Sequence, residues 1–304
     1  MTMASGSFGD LLDPRFEQIF QDHLTQLPDK IPSLFSMPTS NGRDNMRWSD
    51  VGAITDWDEF DGSVAYEDLV QGYDTVATPL EFVKGTQVAR KLFDDDQYHI
   101  MDQRPASMAT AAQRTRQKHG ARIWNNAFSV DTYFYNNSEG VALCSNSHTT
   151  NASSVSTSTG FDNLITSALS ATAVASARIQ MVKFRDDKAG RIDVMPDELL
   201  IPVDLYEKAY EIVASQGQVD TAQNNRNVHE SSYGIHEWSY LSDTNNWFMQ
   251  DSSSRKASLF WLDRVTPEFA FVEDFDSLIA KWRGYGRWGN AWIRWHWILG
   301  SQVS

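Results

Sequence analysis

The feature that most constrains this chain is the segment Phe93 to Phe128, which reads as helix with one interruption. Asp94, Asp95, Asp96 and Asp102 crowd its start, and Arg104, Arg114, Arg116, Lys118 and Arg122 fill the remainder, the order that a helix dipole favours. Between Arg104 and Val130 there is no Asp or Glu. Pro105 fits the first turn of a helix and not its interior, so the spacing predicts a short helical piece before it and a rod of about 24 residues, roughly 35 Å, after it. Met101, Met108, Ala112, Ile123, Trp124 and Phe128 form an apolar stripe on that rod, with the basic residues on the other faces. A helix of this kind lies across another surface.

The surroundings of the rod narrow the fold class. Asp13 and Pro14 resemble a helix start, followed by Phe16, Ile19, Phe20, Leu24 and Leu27 at helical spacing. Pro28, Pro32 and Pro38 then predict an extended arm whose Leu34, Phe35 and Met37 need cover from elsewhere in the molecule or from another molecule. Residues 46–72 hold seven acidic side chains (Asp50, Asp56, Asp58, Glu59, Asp61, Glu67, Asp68), and no base follows Arg47 until Lys84. β-type runs flank Asp61-Gly62, which predicts a long protruding hairpin. The carboxylate spacing does not match a twelve-residue calcium loop. A glycosidase pair is defined by a separation in space that spacing in the chain does not give. The expectation is a charged, partner-facing loop.

Residues 73–92 predict strands, and in residues 132–160 strand-like aromatic residues give way to an aperiodic Ser/Thr/Asn-rich loop. Asp162 is expected to cap a second helix running to Val182. A turn at Asp187 to Gly190, strands at Arg191 to Met195 and Leu199 to Val203, and a helix Asp204 to Ala214 would make a compact α/β unit. Residues 216–251 form a polar lobe with scattered aromatic strand residues. The chain from Leu259 is rich in aromatic residues, and in its final half Lys281, Arg283, Arg287 and Arg294 alternate with Trp. That mixture can serve as a platform for a single nucleic-acid strand, but strands packed on a core are the simpler account in a chain of formal charge -14.

No complete catalytic or cofactor signature is present: no phosphate-binding glycine loop, dinucleotide fingerprint, HExxH, paired CxxC or GxSxG. Cys144 is the single cysteine, so no intramolecular disulfide can form. Its spacing to His148 suits a metal or a nucleophile with its base, yet such a pair in a Ser-rich loop is ordinarily neither. The N-terminus lacks the basic and apolar regions of a signal peptide, and no run approaches membrane-spanning length. No cofactor, metal or enzymatic activity is expected.

The order of these features, with GYDTVATPLEFVKGTQVARKLFDDDQY, a basic helix ending in WNNAF, then EGVALCSNSH and DVMPDELLIPVDLYEKAYEI, resembles the major capsid proteins of tailed bacteriophages, nearest to Mu-like major head subunits. The resemblance covers most of the chain through short degenerate motifs. It implies an α+β chain of the Hong Kong 97 capsid fold that assembles into hexamers and pentamers of an icosahedral head enclosing double-stranded DNA. The implied parts are an N-terminal arm (1–45), an extended loop (46–72), a peripheral domain (73–130 and 255–304) with its spine helix at about 104–128, and an axial domain (131–254). Portal and scaffolding proteins, and a decoration protein, are its implied partners, with assembly in the host cytoplasm. No coiled-coil-like segment precedes the arm, so scaffolding is expected from a separate protein or from a segment that was removed, and no cross-linking Lys and Asn pair is identified. Expected subunit contacts are Phe16, Phe20 and Phe35 in the arm, Asp58, Glu59 and Asp61 on the loop, Arg114, Arg116 and Lys118 on the helix, and Asn224 and Asn225 at the axial tip. A cellular nanocompartment shell of the same fold and a carbohydrate-active enzyme or binding module are the alternatives.

Overall fold

A computed structural model describes residues 9–39, 42, 44–60, 62–64, 66–89, 103–134, 139–152, 155–217, 226–274 and 279–303. Three sheets organise them. A two-stranded sheet pairs β1 (Met46–Val51) with β2 (Gln71–Ala77) antiparallel. The second sheet joins β3 (Leu80–Ala89), β8 (Leu259–Asp274) and β9 (Ile279–Trp292) in the order β3-β9-β8, antiparallel throughout. The third has the order β4-β10-β7-β5-β6, from β4 (Leu164–Ile165), β5 (Glu198–Ile201), β6 (Gly234–Glu237), β7 (Trp247–Gln250) and β10 (Ile298–Ser301). Within it β10 runs parallel to β4 and β5 to β6, while β7 is antiparallel to both of its neighbours.

The helices are α1 (Gly9–Gln26), α2 (Ile31–Leu34), α3 (Gln103–Asn125), α4 (Ala171–Val182), α5 (Tyr206–Ala214) and α6 (Ser252–Ser258). The rod is α3, with Pro105 in its first turn; the helical piece expected before it falls outside the described residues. Helix α3 joins two apolar clusters. Its Ala109 packs with Phe16 and Phe20 of α1 and with Val88, Phe269 and Trp282 of the three-stranded sheet. Its Ala121, Ile123 and Trp124 belong to the larger core around the five-stranded sheet.

Three expectations are corrected by this packing. First, α3 is buried on more than its apolar stripe: Gln113, Arg116, Gln117 and His119 are all enclosed. They are tolerated because each has partners, as when Gln117 donates to Asp29 (2.6 Å) and accepts from the Trp238 indole (3.0 Å). Second, the arm is covered by its own chain. Phe16 packs edge-on against Trp282, Phe20 stacks on Phe269, and Phe35 sits between Trp124 and Trp261. These three side chains are 1–4% exposed, and a neighbouring subunit is not needed to bury them. Third, the helix expected from Asp162 begins at Ala171, because Asn163 is drawn into the core by bonds to Leu143 and Ile298 carbonyls, and Ser170 caps the helix at Ala173 N–H.

Smaller departures follow the same logic. Arg191 makes only an isolated bridge with Arg185, since the chain to Asp197 crosses towards β7 and spends Met195 N–H on Asp251 and Asp197 N–H on the Gln250 carbonyl. The expected return of residues 255–304 to one unit is divided: β8 and β9 pair with β3, but β10 lies between β4 and β7. The C-terminal tryptophans are core residues. Trp261, Trp282, Trp288, Trp292, Trp295 and Trp297 are all at most 5% exposed, so they present no stacking platform.

Candidate functional site

The sequence between β1 and β2 cannot build a core of its own, and the structure shows how it is held. Residues 52–70 contain no strand among those described, so the predicted hairpin is reduced to a paired base carrying a long irregular loop. Gly62 has φ +111°, a conformation that favours glycine, while Asp61 beside it lies outside the described residues.

Three attachments fix the root of this loop. Arg294 grips Asp50 with its Nε (2.8 and 2.9 Å to the two carboxylate oxygens) and also donates to the Val51 carbonyl. Asp187, in the turn after α4, accepts from Ala53 N–H at 2.8 Å. Lys188 in the same turn pairs with Glu67 on the returning limb. The Lys188 ammonium, helped by bonds from Thr55, holds the Glu67 carboxyl down to about 2.

Past those attachments the loop exposes what a folded chain normally hides. Val51, Ile54, Trp57, Phe60, Val64, Tyr66 and Leu69 are all exposed, Trp57 at 97%. Asp56, Asp58, Glu59 and Asp68 are exposed among them, with no ion pair recorded within the described residues. An apolar set of this size ringed by charge marks an interaction surface. The acids of this loop stand out in the sequence and the apolar residues do not, although seven large apolar side chains in an aperiodic acidic segment are the available signal.

The cations expected to meet this loop divide in two. Arg114 and Lys118 on α3 are exposed, without an ion pair among the described residues. Arg116 is 6% exposed, bound by both nitrogens to Asp263 (2.6 and 3.1 Å) with its guanidinium over Trp261 and Trp288. It is therefore a core residue and not a contact for a partner, a correction whose cause, Asp263, lies 147 positions away in the chain. Next to Arg114, α3 and β9 leave an open groove of about 290 Å3. Asn224 and Asn225, like Asp61, lie outside the described residues.

The remaining candidates are structural. Cys144 is a buried free thiol whose pKa burial pushes up. His148 does not point at it; its Nδ1 lies 2.7 Å from buried Glu139 and its ring stacks on Trp295. Among the described residues no group of His, Cys, Asp or Glu is arranged to hold a metal ion, and no helix is long and apolar enough to cross a membrane.

The architecture and its exposed loop can now be set beside known proteins. A family model described as phage capsid protein matches residues 72–299, well over half of the chain. The chain belongs to the phage capsid protein family. It is a structural major capsid protein, a component of the virion built from many copies of itself. The fold of this capsid protein is shared with solved structures of low identity. The capsid of cyanophage P-SCSP1u matches with 15% identity over 89% of this chain and 86% of that one, at a TM-score of 0.56. The mature capsid of bacteriophage PhiM1 matches with 9% identity over 91% and 88%, TM-score 0.59. A native GTA particle capsid matches with 10% identity over 91% of each chain, TM-score 0.56. No curated protein sequence matches the chain.

Proposed function

We propose that this capsid protein forms the hexamers and pentamers of an icosahedral head around double-stranded DNA, and that its loop, residues 46–72, lies over the basic helix of a neighbouring subunit. The observation that carries this reading is the exposure, on one loop, of seven large apolar residues and of several carboxylates that make no ion pair among the described residues. Burying an aromatic or aliphatic side chain of this kind contributes about 1.5–3 kcal/mol, a gain that one chain alone leaves unused. Charge supports the choice of partner: the loop segment has no base between Arg47 and Lys84, and α3 has no acid between Arg104 and its end. Each exposed ion pair contributes only about 0–1 kcal/mol, so the charges act on register and on the speed of encounter more than on final strength.

On this reading residues 1–45 are the arm, 73–130 with β8 and β9 the peripheral domain, and 131–254 the axial domain with Asn224 and Asn225 at its tip. Scaffolding, portal and decoration proteins would be further partners, assembly would take place in the host cytoplasm, and the NNAF and PDELLIPVDLYEKA motifs support a place near Mu-like head subunits.

The test is charge reversal with rescue. Asp58, Glu59 and Asp61 changed to Lys should assemble poorly, and Arg114→Glu with Lys118→Glu in the same chain should partly restore shells. Arg116 is left intact because it is buried in its pair with Asp263 and its loss would destabilise the monomer. If α3 instead faces packaged DNA, the helix changes bring no rescue and lower the DNA content of particles.

A further inference from the structure

Two glycines of β9, Gly284 and Gly286, line the groove between α3 and that strand. A Cβ on Gly284 would lie 3.3 Å from Met108 Cε, and one on Gly286 would lie 2.2 Å from a ring carbon of Trp288. With no side chains there, Phe82, Met108, Ala112 and Trp288 are left as apolar walls of the space. Lys84 and Arg114 also line it, and both are exposed with no ion pair among the described residues. About 290 Å3 lies just under the usual range of ligand pockets, roughly 300–1,000 Å3. A large aromatic side chain is an occupant of suitable size.

The loop presents the complementary pattern. Trp57 stands between Asp56 and Asp58 in the sequence, and it is 97% exposed, so it fills no groove of its own chain. We propose that Trp57 of one copy seats in the groove of a second copy, with Asp56 and Asp58 set against Lys84 and Arg114. The occupant is a second copy because a capsid protein works beside many identical neighbours, and because the acidic flanks of Trp57 match the cationic lining. An aromatic anchor in an apolar pocket bordered by charge is the usual composition of an interface hot spot. The proposal rests on the loop-over-helix contact argued above, and it adds the residue and the site that fix the register.

A disulfide trap tests it, since the only native thiol, Cys144, is buried and its pKa is raised. The full chain with Trp57→Cys and Ala112→Cys is assembled and mildly oxidised. A second pair, Trp57→Cys with Lys118→Cys, places the thiol on the same helix away from the groove. The proposal predicts a ladder of disulfide-linked chains for the position 112 pair, present in particles and absent before assembly. A ladder only with position 118 overturns the proposal while leaving the loop-over-helix contact standing. No ladder from either pair in intact particles overturns both, and an intrachain disulfide shows that the loop folds back on its own groove, which also overturns the proposal. Should Trp57→Cys prevent assembly, Ala112→Cys with Trp57 intact gives the readout. Maleimide labelling at position 112 should then slow by about tenfold or more on assembly. Labelling that is unchanged, or already slow in the monomer, contradicts the proposal.

Discussion

Arg116 of the long helix and Asp263 of β8 form a two-point ion pair, 2.6 and 3.1 Å, beneath two tryptophans. The pair joins the helix to the sheet at a place where Arg116 is enclosed and cannot be solvated once Asp263 is lost. Asp263→Asn should therefore destabilise the monomer by about 3 kcal/mol, the low end for breaking a buried pair because the Asp263 side chain keeps some exposure. Replacing both residues with Leu should cost less than the single change. Urea unfolding of the three variants decides this, and an Asp263→Asn protein as stable as the parent would contradict it.

The arm makes its contribution to the monomer. Phe35 lies 5.5 Å from both Trp124 and Trp261, and Phe20 lies 5.5 Å from Phe269. Arg255 reinforces the attachment by donating to the Ser33 carbonyl. Phe35→Ala should lower unfolding free energy by about 3–5 kcal/mol, in dilute monomer and at any protein concentration. A loss that appears only in particles would show that neighbours supply the cover.

Two buried imidazoles contribute to the response to acid. Burial holds His119 down to about 4 and His296 to about 3. Each stays neutral in the folded chain while the unfolded chain takes up a proton below the ordinary value of 6.5. Stability from these groups is complete above that pH and is lost as pH falls towards each folded value, with a slope of about 1.4 kcal/mol per pH unit for each proton. His296→Gln should make the decline shallower between pH 6 and roughly pH 4. An unchanged slope of unfolding free energy against pH would contradict the assignment.

The long helix, the two strands after the loop and the C-terminal tryptophan strands were legible in the sequence, because periodicity, caps and proline positions are local signals. The place of Arg116 was not, since a basic residue on a helix looks solvated until a distant Asp263 and two indoles enclose it. The arm was misread for a related reason: Phe16, Phe20 and Phe35 have no partners nearby in the chain, and their cover comes from residues 124, 261, 269 and 282. At the loop, acidic spacing drew attention to Asp58 and Glu59, whereas Trp57 and Phe60 between and beside them are the larger anomaly, visible only as exposed area.

On the proposed reading, residues 52–70 are the surface by which one capsid subunit holds the next. An electron cryomicroscopy reconstruction of particles assembled from the full chain measures this directly. The expected result is closed shells in which the loop of each subunit lies over α3 of a neighbour, with Trp57 buried. Closed shells in which the loop projects into solvent or faces the lumen, with Trp57 uncovered, would contradict it.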